Sequence, residues 1–93
     1  MSMEILHNPL DHRFEVEIDD SRAFVEYVLD EGLITLFHTE VPPALGGQGI
    51  GGKLVKEALE FARHHQLLVV PQCPFVQSFI DKHAQYRELV SPN

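Results

Sequence analysis

Five of the six glycines in this 93-residue sequence fall within seven positions, in Leu45-Gly46-Gly47-Gln48-Gly49-Ile50-Gly51-Gly52. Without side chains in the way, successive backbone N–H groups can turn toward one point, and at the start of a helix they surround an anion such as a phosphate. A helical pattern follows directly, so the spacing predicts an anion site; a flexible turn is the plainer alternative. Two familiar phosphate loops do not fit. A GxGxxG loop can be lifted from Gly47, Gly49 and Gly52, but the dinucleotide fold that uses it needs far more chain. The nucleotide-triphosphatase loop finds its gap between Gly47 and Gly52, but Leu54 follows Lys53 where that loop needs Ser or Thr for magnesium. Cys73 sits in Pro71-Gln72-Cys73-Pro74, between an apolar run and a helix start. The positive end of that helix would favour a thiolate, although a cysteine there can also serve as a small buried hydrophobe. His38, near a strand end and facing opposite Thr39, has the chemistry of a base or of a hydrogen-bonded sheet histidine. His7, His12, His64 and His65 read as surface residues, and His83 continues an apolar helical face. None has metal-ligand spacing with the single cysteine, so no metal is expected.

The elements that position these residues are legible from periodicity. Met1 to Arg13 has mixed polarity and fits either a frayed end or a short first strand. Phe14-Glu15-Val16-Glu17-Ile18 alternates apolar and acidic, which predicts an outer strand with one buried face. Ala23 to Leu29 and Leu33 to Val41, joined by Asp30-Glu31-Gly32, predict a hairpin. Its second arm begins apolar on both faces, as a strand covered from two sides would. Pro42-Pro43 cannot donate to a ladder, so this strand should stop or splay there and leave backbone groups for another partner. After the glycines, Leu54, Val55, Ala58, Leu59 and Ala62 form a helical stripe, with Lys53–Glu57 and Lys56–Glu60 expected as four-apart pairs. Leu67 to Val70 then predicts a buried strand, reached by a helical crossover and therefore parallel to its predecessor. Pro74 opens a last helix bearing Phe75, Val76, Phe79, Ile80 and His83 on one face, and a closing turn follows from Ala84. The fold class is α/β: a mixed sheet with a crossover helix after the glycine-rich loop and a C-terminal helix, in one domain spanning residues 1–93.

Fourteen acids against seven bases give a net charge of −7, so nucleic acid and anionic membrane are poor partners. Residues 1–40 carry ten acids and two bases, while residues 41–93 carry four and five, so a phosphate-bearing ligand should prefer the second half. A single cysteine excludes an internal disulfide, and no apolar run approaches the roughly 18 residues of a membrane span. The chain reads as a cytoplasmic monomer with no signal segment.

His38-Thr39, Val41-Pro42-Pro43, Gly47-Gln48-Gly49-Ile50 and Pro71 to Phe75 together resemble the minimal, single-domain members of the GCN5-related N-acetyltransferases, over most of residues 14–90. In that family an Arg/Gln-x-x-Gly-x-Gly/Ala loop holds the pyrophosphate of acetyl-CoA, and Gly49 and Gly51 match its two small positions. Two residues depart from the pattern. Gly46 stands where the family loop has arginine or glutamine, and Ala84 where the small members have proline after His83. The resemblance implies a fold in which the strands ending at Val41 and Val70 splay, with the pantetheine arm bonded to Thr39 and Val41 in the wedge. It implies acetyl-CoA as cofactor, held by the main chain from Gly46 through Gly47, Gln48, Gly49, Ile50 and Gly51 to Gly52, with Lys53, Lys56 or Lys82 as charge partners. His38 would deprotonate the amine or orient Cys73, and Cys73 would either accept the acetyl group or return a proton to the departing thiolate.

The implied activity is transfer of an acetyl group to an amine on a small molecule or a protein, and the acid-rich first half suits a cationic one. A CoA-binding or protein-interaction module without turnover is the competing reading, to which Gly46 lends weight. A thiol sensor built on Cys73 alone leaves the glycine loop unexplained.

Overall fold

The computed structural model describes residues 4–92. Strands β1 (Leu6–Asn8), β2 (Arg13–Ile18), β3 (Ser21–Asp30) and β4 (Leu33–Glu40) come first. A 3₁₀ turn (Pro43–Leu45), helix α1 (Ile50–His64), strand β5 (Leu68–Pro71), helix α2 (Pro74–Lys82) and a 3₁₀ segment (Ala84–Leu89) follow. The sheet order is β1-β2-β3-β4-β5, antiparallel up to β4 and parallel between β4 and β5. This is the mixed α/β sheet expected, with the crossover helix between β4 and β5.

Local chemistry sets the hairpins. Asp19 and Asp20 join β2 to β3 with φ of 50° and 67°, and Glu31 and Gly32 join β3 to β4 with φ of 47° and 83°. Two consecutive left-handed residues match the right-handed twist of the flanking strands, and aspartate and glycine tolerate that conformation best.

The inward face of the sheet carries Phe14, Val16, Ala23, Val25, Tyr27, Ile34, Leu36 and Val69, all buried, and the α1 stripe of Leu54, Val55, Ala58, Leu59 and Ala62 closes over it. The other face is open. Val28, Phe37 and Leu68 stay 49, 42 and 40% exposed there, so β4 is covered on one side only, contrary to the expectation from its doubly apolar start. Phe14–Ile18 is likewise not outermost, because β1 pairs outside β2. The four-apart lysine–glutamate pairs on α1 do not form among the described residues. The Glu60 carboxylate accepts a 2.6 Å hydrogen bond from the Tyr86 hydroxyl and lies 4.0 Å from Arg63, and so is taken from Lys56.

His7 ties the edge strand to the core. Its Nε2 hydrogen-bonds the hydroxyl of buried Tyr27, and its ring stacks on Phe14 at 4.4 Å and meets Phe61 edge-on at 4.7 Å. Burial, then the neighbouring His65, hold its pKa below the ordinary 6.5. The unfolded chain therefore takes up this proton more readily than the folded one. Its contribution to stability is complete above 6.5 and is lost as pH falls from there toward the lowered folded value. The melting temperature is expected to drop across that window, and His7→Phe, which keeps the stack, to remove that part of the drop. An unchanged pH dependence in His7→Phe would contradict this.

One irregularity decides what reaches the site. Tyr27 pairs with Leu36 and Glu26 with His38, so Phe37 is the extra residue of a β-bulge. Strict alternation from Ile34 and Leu36 would bring His38 inward. The bulge instead hands the inward position to Thr39, which pairs with fully buried Val25.

Candidate active site

The glycine loop opens α1. Gly47 and Gly49 have φ of 78° and 72°, a region costly to residues with a Cβ, and Gly49 is the N-cap. No side chain caps the helix and no acid stands in its first turn. Backbone bonding resumes when Lys53 N–H donates to Gly49 O at 3.1 Å; among the described residues, the N–H groups of residues 47–52 have no protein acceptor. The amide of Gly46 differs: it donates to Pro43 O at 3.1 Å, closing the 3₁₀ turn, and so is not one of the free donors. Gln48 and Gly49 are exposed, while Ile50 and Gly51 are buried. A Cβ on Gly51 would stand 2.7 Å from the ring end of Phe75 and 3.3 Å from Val41 Cγ2, so the loop abuts both β4's continuation and α2 at this point.

Cys73 is the N-cap of α2, with Pro74 at its first helical position, and is 8% exposed. Its Sγ lies 3.5 Å from Thr39 Oγ1. As a thiol it donates to that oxygen; as a thiolate it accepts from the same hydroxyl, which rotates. Burial pushes its pKa up, but hydrogen bonds from the Thr39 hydroxyl and from the N–H groups of Val76, Phe75 and Thr39 outweigh burial, and the net shift is downward.

Between loop and thiol the sheet opens. β4 and β5 pair from Leu33↔Leu68 to Leu36↔Pro71, where the N–H groups of Gln72 and Cys73 both donate to Leu36 O at 3.1 Å and turn the chain into α2. β4 runs on to Glu40 without β5 beside it. Thr39 lies on this stretch of β4, and Val41 follows its end. His38 does not join Cys73. It faces the open side of the sheet with Glu26, its Nε2 is 3.3 Å from Glu40 Oε1, and its ring is 5.8 Å from that of Phe24. Orienting the thiol falls to Thr39 instead. Lys82 is exposed at the end of α2 and does not line the groove beside the loop, whereas Lys53, Lys56 and His83 do. Two contributors were missed from sequence, the amides of Phe75 and Val76; the Pro74 helix start is the only signal that pointed to them.

An uncapped helix start with unpaired N–H groups, a stretch of β4 beyond the end of its pairing with β5, and a thiol hydrogen-bonded to that stretch are the features these elements position. The model for the GCN5-related N-acetyl-transferases matches residues 13–89. The chain belongs to this family. Protein NATD1 of Bos taurus is 36% identical over 76 residues, covering 80% of this chain and 66% of that protein, just under two thirds of its length. Protein NATD1 of Xenopus tropicalis is 30% identical over 97 residues, covering 98% of this chain and 88% of that one. The solution structure of a GCN5-like protein from Staphylococcus aureus superposes with a TM-score of 0.76 at 31% identity, over 95% of this chain and 87% of that one. Among the described residues of this GCN5-related chain, no helix is long and apolar enough to cross a membrane.

Proposed function

We propose that the chain binds acetyl-CoA and transfers its acetyl group to an amine, with Cys73 as the residue that receives the group first. The observation that carries this reading is the run of N–H groups at residues 47–52 without a protein acceptor, at an uncapped helix start, beside the opening that leads to the Cys73 thiol. These residues fit the diphosphate: the donors are bare, and the helix dipole and Lys53 favour negative charge.

Acetyl-CoA, when bound, supplies an activated acetyl thioester. The loop amides hold its diphosphate, and the unpaired stretch of β4 at Thr39 and Val41 lines the way to the sulfur. Four hydrogen bonds bias Cys73 toward thiolate. Sγ forms a bond to the acetyl carbon as that carbon's bond to the CoA sulfur breaks and the departing sulfur keeps the electron pair. An amine nitrogen then displaces Sγ, which returns as thiolate, and the amine's proton passes to solvent.

Three measurements test this. Calorimetry with CoA tests the loop. Intact mass after acetyl-CoA treatment tests whether Cys73 gains one acetyl group. An amine-acceptor assay tests turnover, and cofactor binding without turnover on any amine would favour the binding-module reading.

Gly46 gives a gain-of-function test. Its φ of −66° and ψ of 154° suit any residue, and a Cβ there would meet only Pro43 O at 3.3 Å. Gly46→Arg places a cation beside the free amides and is expected to tighten CoA binding about threefold to tenfold at low salt. Unchanged affinity would place the diphosphate elsewhere.

A further inference from the structure

Val28, Thr35 and Val70 lie in register across β3, β4 and β5 on the open face of the sheet. Val28 and Thr35, with Phe37 and Gln72, line a shallow hollow of about 380 Å³, and Leu68, two residues along β5 from Val70, extends the apolar strip. Acids stand at both ends. By alternation from buried Val25 and Tyr27, β3 presents Glu26, Val28 and Asp30 in turn to this face, and Glu31 follows in the exposed turn. Glu26, Asp30 and Glu31 have no ion-pair partner among the described residues. The cations of the chain are elsewhere or taken. Lys53, Lys56 and Lys82 belong to the helices. Arg13, the cross-strand neighbour of Glu26, bonds Glu15 at 2.7 Å and reaches Asp11 at 3.8 Å, and Arg22 lies 3.6 Å from Glu17.

An uncovered apolar strip between unpaired carboxylates selects its occupant. Because both ends of the strip are acidic, a twofold face-to-face contact with a second copy sets carboxylates against carboxylates whichever way the two copies run. Charge disfavours that dimer. An added strand finds little to bond, because β4 beneath the strip already pairs with β3 on one side and β5 on the other. A helix satisfies its own backbone, and its dimensions fit. Three strands about 4.8 Å apart make a strip roughly 10 Å wide, the diameter of a helix with its side chains. From Glu26 to Asp30, four steps of strand cover about 13 Å, which about nine residues of helix match. We propose that the open face docks an amphipathic helix of another protein, with apolar side chains on Val28, Phe37 and Val70 and with lysine or arginine about nine residues apart facing Glu26 and Asp30. Such docking needs neither the loop amides nor the Cys73 thiol.

Two synthetic peptides of about 15 residues, stapled as helices, test this. They share one leucine stripe and differ only in carrying lysine or glutamate at both ends of it. In calorimetry with the wild-type protein at low salt, the lysine peptide is expected to bind at least about tenfold more tightly than the glutamate one. Amide nitrogen–proton spectra of labelled protein should place the shifts around Val28, Thr35 and Val70. Glu26→Gln/Asp30→Asn should shrink the preference at least about threefold, and Val28→Lys should weaken the lysine peptide about tenfold, with melting curves checking that each variant is folded. Equal affinity for the two peptides, no binding of the lysine peptide, or shifts gathered elsewhere on the chain overturns the proposal. So does a dimer in sedimentation that Val28→Lys dissolves, because the face then belongs to a second copy.

Discussion

Cys73→Ala is expected to lower acetyl transfer to amines by about 10²-fold to 10⁴-fold, the range for loss of a positioned reacting group, and to abolish acetyl gain in the intact mass. The size follows from the surroundings of the sulfur. Sγ is enclosed at 8% exposure and collects hydrogen bonds from Thr39 and from the first turn of α2, an arrangement that burial alone would oppose. Alanine fills most of the same volume and removes about one net hydrogen bond, so the loss of stability should be near 1 kcal/mol and the protein should remain folded. Cofactor affinity should change little, because the loop amides are elsewhere. Thr39→Val separates position from chemistry. It removes the hydroxyl that lowers the thiol pKa, so the pH at which Cys73 acetylation reaches half its maximum should move upward, with CoA affinity preserved. Turnover by Cys73→Ala equal to wild type would remove the covalent route.

Gly49→Val is expected to weaken CoA binding at least about tenfold, the second large effect. Gly49 is the N-cap of α1 at φ 72°, ψ 17°, and a Cβ there meets no atom within 4 Å. The penalty is therefore backbone strain and not a clash: a left-handed conformation costs about 1–2 kcal/mol for an ordinary residue, and a β-branched one suffers most. The chain can escape the strain only by turning the peptide, which redirects the amides that start the helix. Calorimetry would show the loss in affinity with a modest fall in melting temperature. Full affinity in Gly49→Val would mean that the loop amides do not hold the ligand.

Much of this architecture was legible in the residues. Alternation marked β2 and the Leu54-to-Ala62 stripe marked α1, because each reports burial on one face of a regular element, while β-rich runs around Asp30-Glu31-Gly32 marked the hairpin and Pro74 the start of α2. The glycine cluster announced its own location. What escaped was set by contacts between elements distant in sequence. The bulge at Phe37 leaves no trace in a run of apolar residues, yet it decides that Thr39 and not His38 stands at the thiol. The pairing of β1 outside β2 depends on His7 finding Phe14 and Tyr27, which composition near Pro9 does not foretell. Glu60 looked like the partner of Lys56 at helical spacing, and Tyr86, twenty-six positions on, took it. Gly46 looked like part of the loop, and its amide closes the preceding turn.

The donors at residues 47–52 can be watched directly. In a titration of isotope-labelled protein with CoA, followed by amide nitrogen–proton correlation spectra, the account predicts that Gly47, Gly49, Gly51 and Gly52 show the largest downfield proton shifts, as bare amides acquire a phosphate acceptor. Saturable binding that leaves those four resonances in place and moves others would contradict it.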